Sequence, residues 1–113
     1  IYLSDNSKYI GNVKIGPIDW KNRVAEFGRF IFSSDARGKG IGTEVTKLII
    51  SYCFDSLNLN KVISGCLENN IASRKSNEKC NMTLEGKLID HIYEQGKYHS
   101  VLRFAILKKE YDN

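Results

Sequence analysis

Three glycines at alternate positions, Gly38, Gly40 and Gly42, close the stretch Ser33-Ser34-Asp35-Ala36-Arg37-Gly38-Lys39-Gly40-Ile41-Gly42, the most constraining feature of this chain. Before it, Val24 to Phe32 is apolar and aromatic, flanked by polar turns, and reads as a strand. After it, Ile41, Val45, Leu48, Ile49, Tyr52 and Cys53 recur at helical spacing and predict an amphipathic helix. Glycine lacks a Cβ, so the backbone can approach a ligand closely. Three glycines also weaken a helix start unless something uses them. Free N–H groups and the positive end of a helix then form a site for phosphate oxygens. Arg37 and Lys39 add mobile positive charge beside it. The alternative is a glycine-rich turn that holds nothing.

Two familiar phosphate-binding patterns do not fit. A Rossmann fingerprint needs a third glycine where Thr43 stands, and an acidic residue further on that is missing. A P-loop needs its lysine after the last glycine of a longer loop.

The rest of the chain alternates between strand and helix signals. Ile1–Leu3 and Tyr9–Ile18 read as a hairpin across Asp5-Asn6-Ser7, and Asp19-Trp20-Lys21-Asn22 is a second polar connection. Glu44 suits the first turn of the helix, and Asn58 and Asn60 tolerate the left-handed geometry that ends it. Lys61–Leu67 returns to a strand, and Asn70 can cap a short polar helix to Lys79. Leu84–Tyr93 and Tyr98–Leu107 are two further strands, joined by Glu94-Gln95-Gly96-Lys97 with Gly96 at positive φ. The order is β-β-β-α-β-α-β-β, without an internal repeat or a linker.

Composition narrows the class. The 113 residues, 42% hydrophobic and 27% charged, suffice for one domain with one core. No apolar run reaches membrane-spanning length and no signal-peptide pattern opens the chain, which reads as soluble. It starts at Ile1, inside a strand signal, so an N-terminally truncated fragment is expected. Cys53, Cys66 and Cys80 lack metal-ligand spacing, which argues for reduced thiols in a cytoplasmic protein, with Cys53 and Cys66 in the core. The net charge of +4 fits a small anionic ligand as well as a nucleic acid. Lys8, Lys14, Lys21, Lys47, Lys61, Lys75, Lys79 and Lys108 are scattered, against a nucleic-acid surface.

Arg37-Gly38-Lys39-Gly40-Ile41-Gly42 resembles the R/Q-x-x-G-x-G/A pyrophosphate motif of the GNAT acetyltransferases. Asn22-Arg23-Val24-Ala25-Glu26-Phe27, Leu57-Asn58-Leu59-Asn60-Lys61-Val62, Met82-Thr83-Leu84-Glu85-Gly86 and Gln95-Gly96-Lys97-Tyr98-His99 resemble the bacterial ribosomal-protein and spermidine N-acetyltransferase branch. The similarity runs from about residue 10 to the end, without the family's N-terminal strand and helical pair. It implies a single α/β (α+β) domain over 1–113, with a mixed, mostly antiparallel sheet and flanking helices. It also implies acetyl transfer from acetyl-coenzyme A to a primary amine: a protein N-terminus, a polyamine or an amino sugar. No metal is implied.

Residue by residue, the resemblance implies that Phe30, Ile31 and Phe32 pair their backbone with the pantetheine arm. Main-chain N–H groups across Gly38, Lys39, Gly40, Ile41, Gly42 and Thr43 hold the pyrophosphate beside Arg37. Asn70 touches the coenzyme from the far side of the cleft, and parallel strands splay at Gly65-Cys66-Leu67 to admit the thioester. The family's acid is a tyrosine, where this chain has Asn77, and an amide cannot donate a proton as a phenol can. Ser73 is the substitute, with a hydrogen bond at the helix start as its other role. Glu26 is the base candidate, with burial raising its pKa; its other role is a solvated charge on the outward face. His91 and His99 read as surface or hydrogen-bonded residues, and Tyr93, Tyr98 and Phe104 as core or edge residues. Asp90, Glu94 and Glu85 form no clear acidic cluster for a polyamine. The competing function is an acyl-coenzyme A-binding sensor with little turnover. An exposed sheet edge adds a homodimer to the expected partners, with no membrane and no nucleic acid among them.

Overall fold

The computed structural model describes residues 11–31 and 40–112, with the side chains of residues 30 and 31 excepted. The expected strand at Ile1–Leu3 lies outside them. The elements are β1 (Gly11–Asp19), β2 (Val24–Ile31), α1 (Ile41–Ser51), β3 (Lys61–Leu67), α2 (Ile71–Lys79), β4 (Thr83–Glu94), β5 (Lys97–Leu107) and a short α3 (Lys108–Tyr111) that the sequence pattern did not announce. The five strands form one sheet in the order β1-β2-β3-β5-β4. Only β2 and β3 run parallel; the other pairs are antiparallel, as expected for a mixed sheet.

Side-chain alternation along the strands decides which face is core. On β2, Ala25 and Phe27 point inward and are buried, while Glu26 and Gly28 point outward. The registers Ala25 to Val62 and Phe27 to Ser64, then Val62 to Ile106 and Ser64 to Phe104, carry that face across the sheet. α1 covers it with Ile49, Ile50, Cys53 and Phe54. β3 is buried on both faces, since Ile63 and its neighbour Ala105 are shielded on the side away from the helices.

The stripe expected on α1 is rotated. Leu48 and Tyr52 are 65% and 50% exposed, and Thr46 and Ile50 are buried in their place. Thr46 enters the core at no polar cost because its hydroxyl donates to the Gly42 carbonyl at 2.7 Å. The helix continues through Tyr52–Ser56 in the wider π geometry, and Asn58 (φ 53°) then turns the chain, as its tolerance for left-handed backbone suggests. Gln95 and Gly96, both at positive φ, make the tight β4–β5 turn. Phe104 is core, whereas Tyr93 and Tyr98 lie exposed on that edge hairpin with ring centroids 5.1 Å apart.

Candidate active site

The sheet has a fork in it. The parallel ladder between β2 and β3 runs from Val24 opposite Lys61 to Phe27 opposite Ser64 and ends there. β2 continues to Ile31, held by β1 from Lys14 back to Gly11. β3 continues through Gly65, Cys66 and Leu67, held by β5 at Arg103, Leu102 and Val101. Among the described residues nothing pairs with the inner edges beyond the branch point. Backbone groups on such an edge can pair with an extended chain, as in strand addition. Phe30 and Ile31 lie on this edge; Phe32 is outside the described residues.

α1 starts beside the fork. Gly40 precedes it with φ 74° and ψ 10°, a left-handed conformation that glycine adopts without Cβ strain, and no side chain among the described residues caps the helix. The Gly40 carbonyl takes the amide of Glu44 at 3.0 Å, the first intrahelical bond. The amides of Ile41, Gly42 and Thr43 precede that bond and have no acceptor among the described residues, so they carry the helix's positive end outward. Among the described residues a Cβ at Gly40 would meet nothing within 4 Å, so none of them fills the space over this turn. Arg37, Gly38 and Lys39 lie outside the described residues. The Thr43 hydroxyl reaches Ser76 Oγ at 3.4 Å, and the Thr43 carbonyl accepts from Cys80 Sγ at 3.5 Å, tying the start of α1 to α2.

α2 lines the same side of the sheet. Asn70 caps it, its Oδ1 accepting from the Ser73 amide at 3.2 Å, as its type and position suggested. The Ser73 amide, not its hydroxyl, therefore makes the helix-start bond. The Ser73 carbonyl and Asn77 Oδ1 each accept from Arg29 Nη2 at 3.1 Å, and Arg29 Nη1 lies 3.5 Å from Ser64 Oγ. The guanidinium also sits 5.6 Å over the Phe27 ring. Burial pulls the Arg29 pKa down, opposed by the neighbouring Cys66 and Cys80. Asn77 is wholly buried, and its Nδ2 has no hydrogen-bond partner.

Glu26 stands on the other face of the sheet, exposed, with Oε1 3.9 Å from where a Cβ on Gly65 would lie. It is a solvated, outward-facing carboxylate beside the fork rather than a buried one, because strand alternation places it opposite Ala25 and Phe27. Arg29 was not picked out from the sequence. Its signal was there, since it continues the inward series Ala25, Phe27, Arg29 and puts a charge where an apolar residue is due.

The other candidates stay apart from this cluster. His91 is exposed, and His99 Nε2 lies 3.1 Å from the Glu94 carbonyl. Glu85 is paired with Lys61 at 2.8 Å and Glu68 with Lys87 at 2.9 Å. The thiols of Cys53, Cys66 and Cys80 are all buried, and burial pushes each upward. Among the described residues no three His, Cys, Asp or Glu side chains gather as a metal site, and no helix is long and apolar enough to cross a membrane.

An α/β sheet that forks beside a helix start free of side-chain caps defines a class in which an extended ligand can lie in a split of the sheet. The chain belongs to the acetyltransferase (GNAT) domain family, whose pattern matches residues 1–83. It is 33% identical over 102 residues to YdaF of Bacillus subtilis, which carries the provisional name of a ribosomal N-acetyltransferase; the match covers 90% of this chain and 55% of that protein. It is 31% identical over 104 residues to the spermidine N(1)-acetyltransferase of Vibrio cholerae, covering 92% of this chain and 60% of the relative. A solved structure of the Vibrio cholerae spermidine N-acetyltransferase in complex with CoA and spermine superposes with a TM-score of 0.85 at 31% identity, over 92% of this chain and 61% of that one. The chain thus spans little more than half the length of the relatives it matches.

Proposed function

We propose that the protein transfers an acetyl group from acetyl-coenzyme A to a primary amine. The observation that carries this reading is the fork between β2 and β3, opening beside the uncapped start of α1, in a chain of this family. The residues present suit a coenzyme with a diphosphate and an extended arm. The main-chain amides from Gly38 to Thr43, with Arg37 and Lys39, would hold the diphosphate. The free edge of β2 at Phe30, Ile31 and Phe32 would pair with the amides of the arm, and Asn70 would contact it from α2.

The gap gives the reaction two sides. The helix side holds Ser73 and would receive the thioester; the open side carries Glu26 and would receive the amine. Glu26, exposed and without an ion pair among the described residues, would take the proton that the ammonium loses, and the Ser73 hydroxyl would donate toward the leaving group. Such groups contribute about 10²–10⁴-fold each, and alignment of the reactants contributes more. Acids of the described residues are dispersed and partly paired with lysines, so the acceptor screen starts from a peptide N-terminus and includes polyamines and amino sugars.

A second reading, an acyl-coenzyme A sensor with little turnover, draws support from the buried amide of Asn77 where the family's phenol stands. One experiment separates the two. Calorimetric titration with acetyl-coenzyme A should show binding, and thiol release should then follow addition of an amine from the screen. Binding without release for every amine would move the protein to the second reading; no binding would remove both.

The single sheet over a single core supports reading 1–113 as one domain. Three free, buried thiols suit a reducing compartment, in keeping with a cytoplasmic protein. The edge strand β4 exposes Leu84, Leu88, Ile89, Ile92 and Tyr93, which supports self-association, and a solved relative from Vibrio cholerae is described as dodecameric. Light scattering of the purified protein tests it: a monomer at all concentrations would remove this partner.

A further inference from the structure

Arg29 is a half-buried cation whose described partners are all neutral. Its Nη2 donates to the Ser73 carbonyl and to Asn77 Oδ1, both at 3.1 Å, and Nη1 donates to the Ser64 hydroxyl at 3.5 Å. No carboxylate pairs with it among the described residues. The two thiols near enough to act on it, Cys66 and Cys80, are themselves buried and held protonated by that burial. A charge drawn partly out of water normally gains a counter-ion, because water solvates it less.

Beside this cation lies a donor without an acceptor, Asn77 Nδ2, in a side chain with no exposed surface. The amide cannot turn over to relieve this, since that would bring an NH₂ group against the guanidinium in place of the oxygen. Arg29 therefore fixes which way Asn77 faces, and one amide carbon keeps Nδ2 in the same space as the guanidinium. A half-buried cation without a counter-ion and, beside it, a buried amide donor without an acceptor describe a binding site for a small negative charge. The site stands just past the last β2–β3 pair, Phe27 and Ser64, where the strands part.

We propose that Arg29 and Asn77 hold the negative charge of the departing coenzyme A thiolate by charge and hydrogen bonding, alongside the hydroxyl of Ser73. The inference rests on the acetyltransferase reading above. In the reaction the amine nitrogen bonds to the acyl carbon and the carbon–sulfur bond breaks. The bonding pair leaves on sulfur as a thiolate, and the proton lost from nitrogen passes to Glu26 and then to solvent. Charge on sulfur meets the guanidinium, whose proton never has to move. Cations beside a thiol lower its pKa, commonly by about one unit or more.

The test is a titration of free coenzyme A bound to the protein, following the ultraviolet absorbance of its thiolate against pH. The bound thiol is expected to titrate at least about one unit below the same thiol in solution. Arg29→Gln removes the cation, and Asn77→Asp supplies an internal counter-ion without removing the arginine. Both should return the bound thiol to its solution value and reduce kcat more than they raise KM, while Arg29→Lys retains part of the shift. If Arg29→Gln does not fold, Asn77→Asp alone decides. A wild-type bound thiol that titrates at or above its solution value overturns the proposal, as does a shift that survives Asn77→Asp. Failure of the wild-type protein to bind coenzyme A overturns the acetyltransferase reading itself, a result distinct from binding with an unshifted thiol.

Discussion

Glu26 and Arg29 leave the same strand on opposite faces of the sheet, on either side of the place where β2 parts from β3. Glu26 is level with Ile63 and points away from the helices, while Arg29 points into the space under α2 and bonds Ser73 and Asn77. Three residues of separation with a period of two make this inevitable. A reaction that passes through the fork would find a carboxylate on one side and a cation on the other.

Replacing Glu26 with Gln tests the carboxylate. The side chain is exposed, so stability should change by no more than about 0.5 kcal/mol. Turnover should fall about 10²-fold with coenzyme affinity retained. Steady-state kinetics with the best amine, beside calorimetry, measure both; unchanged kcat at saturating amine would return Glu26 to a surface role.

Ser73→Ala removes a hydroxyl and leaves the amide that Asn70 caps and the carbonyl that Arg29 bonds. The fold and coenzyme affinity should be preserved. Loss of at least tenfold in kcat is expected if the hydroxyl donates to the leaving group. Wild-type turnover would leave Ser73 acting through its backbone alone.

Gly40→Val places a branched residue at φ 74°. No described residue lies within 4 Å of a Cβ there, so the cost to the fold is the backbone term of about 1–2 kcal/mol. The branched side chain would, however, occupy the open space over the turn, and acetyl-coenzyme A affinity should fall by more than tenfold. Urea denaturation and calorimetry on the same sample separate the two effects, and normal affinity in a folded variant would refute the loop assignment.

Asn70→Ala deletes the cap of α2 and should cost about 1 kcal/mol. If Asn70 also contacts the coenzyme, affinity falls as well, whereas Asn70→Ser, which caps equally, should restore stability first. A Ser variant that matches wild type in both would limit Asn70 to capping.

Alkaline pH should destabilise the fold through its thiols. Burial raises the pKa of Cys53, Cys66 and Cys80, so the folded chain keeps these protons after the unfolded chain has lost them. Where the unfolded state binds fewer protons, unfolding free energy falls as pH rises. This stability is complete below the ordinary thiol range, about 8.5, and is lost as pH climbs through the raised folded values. Urea midpoints measured on either side of that range should decline, and native thiols should resist an alkylating reagent until the chain unfolds. A flat profile with rapid native alkylation would contradict the burial.

Local pattern alone determined much of this protein. The apolar run of β2, the helical spacing after Gly40 and the Gln95-Gly96 turn are short-range signals, and each element formed within a few residues of its expected place. Capping by Asn70 and the left-handed turn at Asn58 were equally legible, because they depend on a residue and its immediate neighbours. The rotation of α1 was not. Which of Leu48 and Ile50 goes inward depends on where the sheet lies beneath the helix, and Thr46 could join the core only because a carbonyl one turn back takes its hydroxyl.

The site divides in the same way. Alternate glycines at a strand-to-helix junction are visible in a line of letters, since the amides that would grip an anion are consecutive. Arg29 and Asn77 are 48 residues apart in the chain, and only the packing of α2 against β2 brings a guanidinium and a buried amide to 3.1 Å. Likewise the outward position of Glu26 follows from knowing which face of β2 the helices cover. Charges take their chemistry from burial and neighbours, and both are set by contacts between distant parts of the chain.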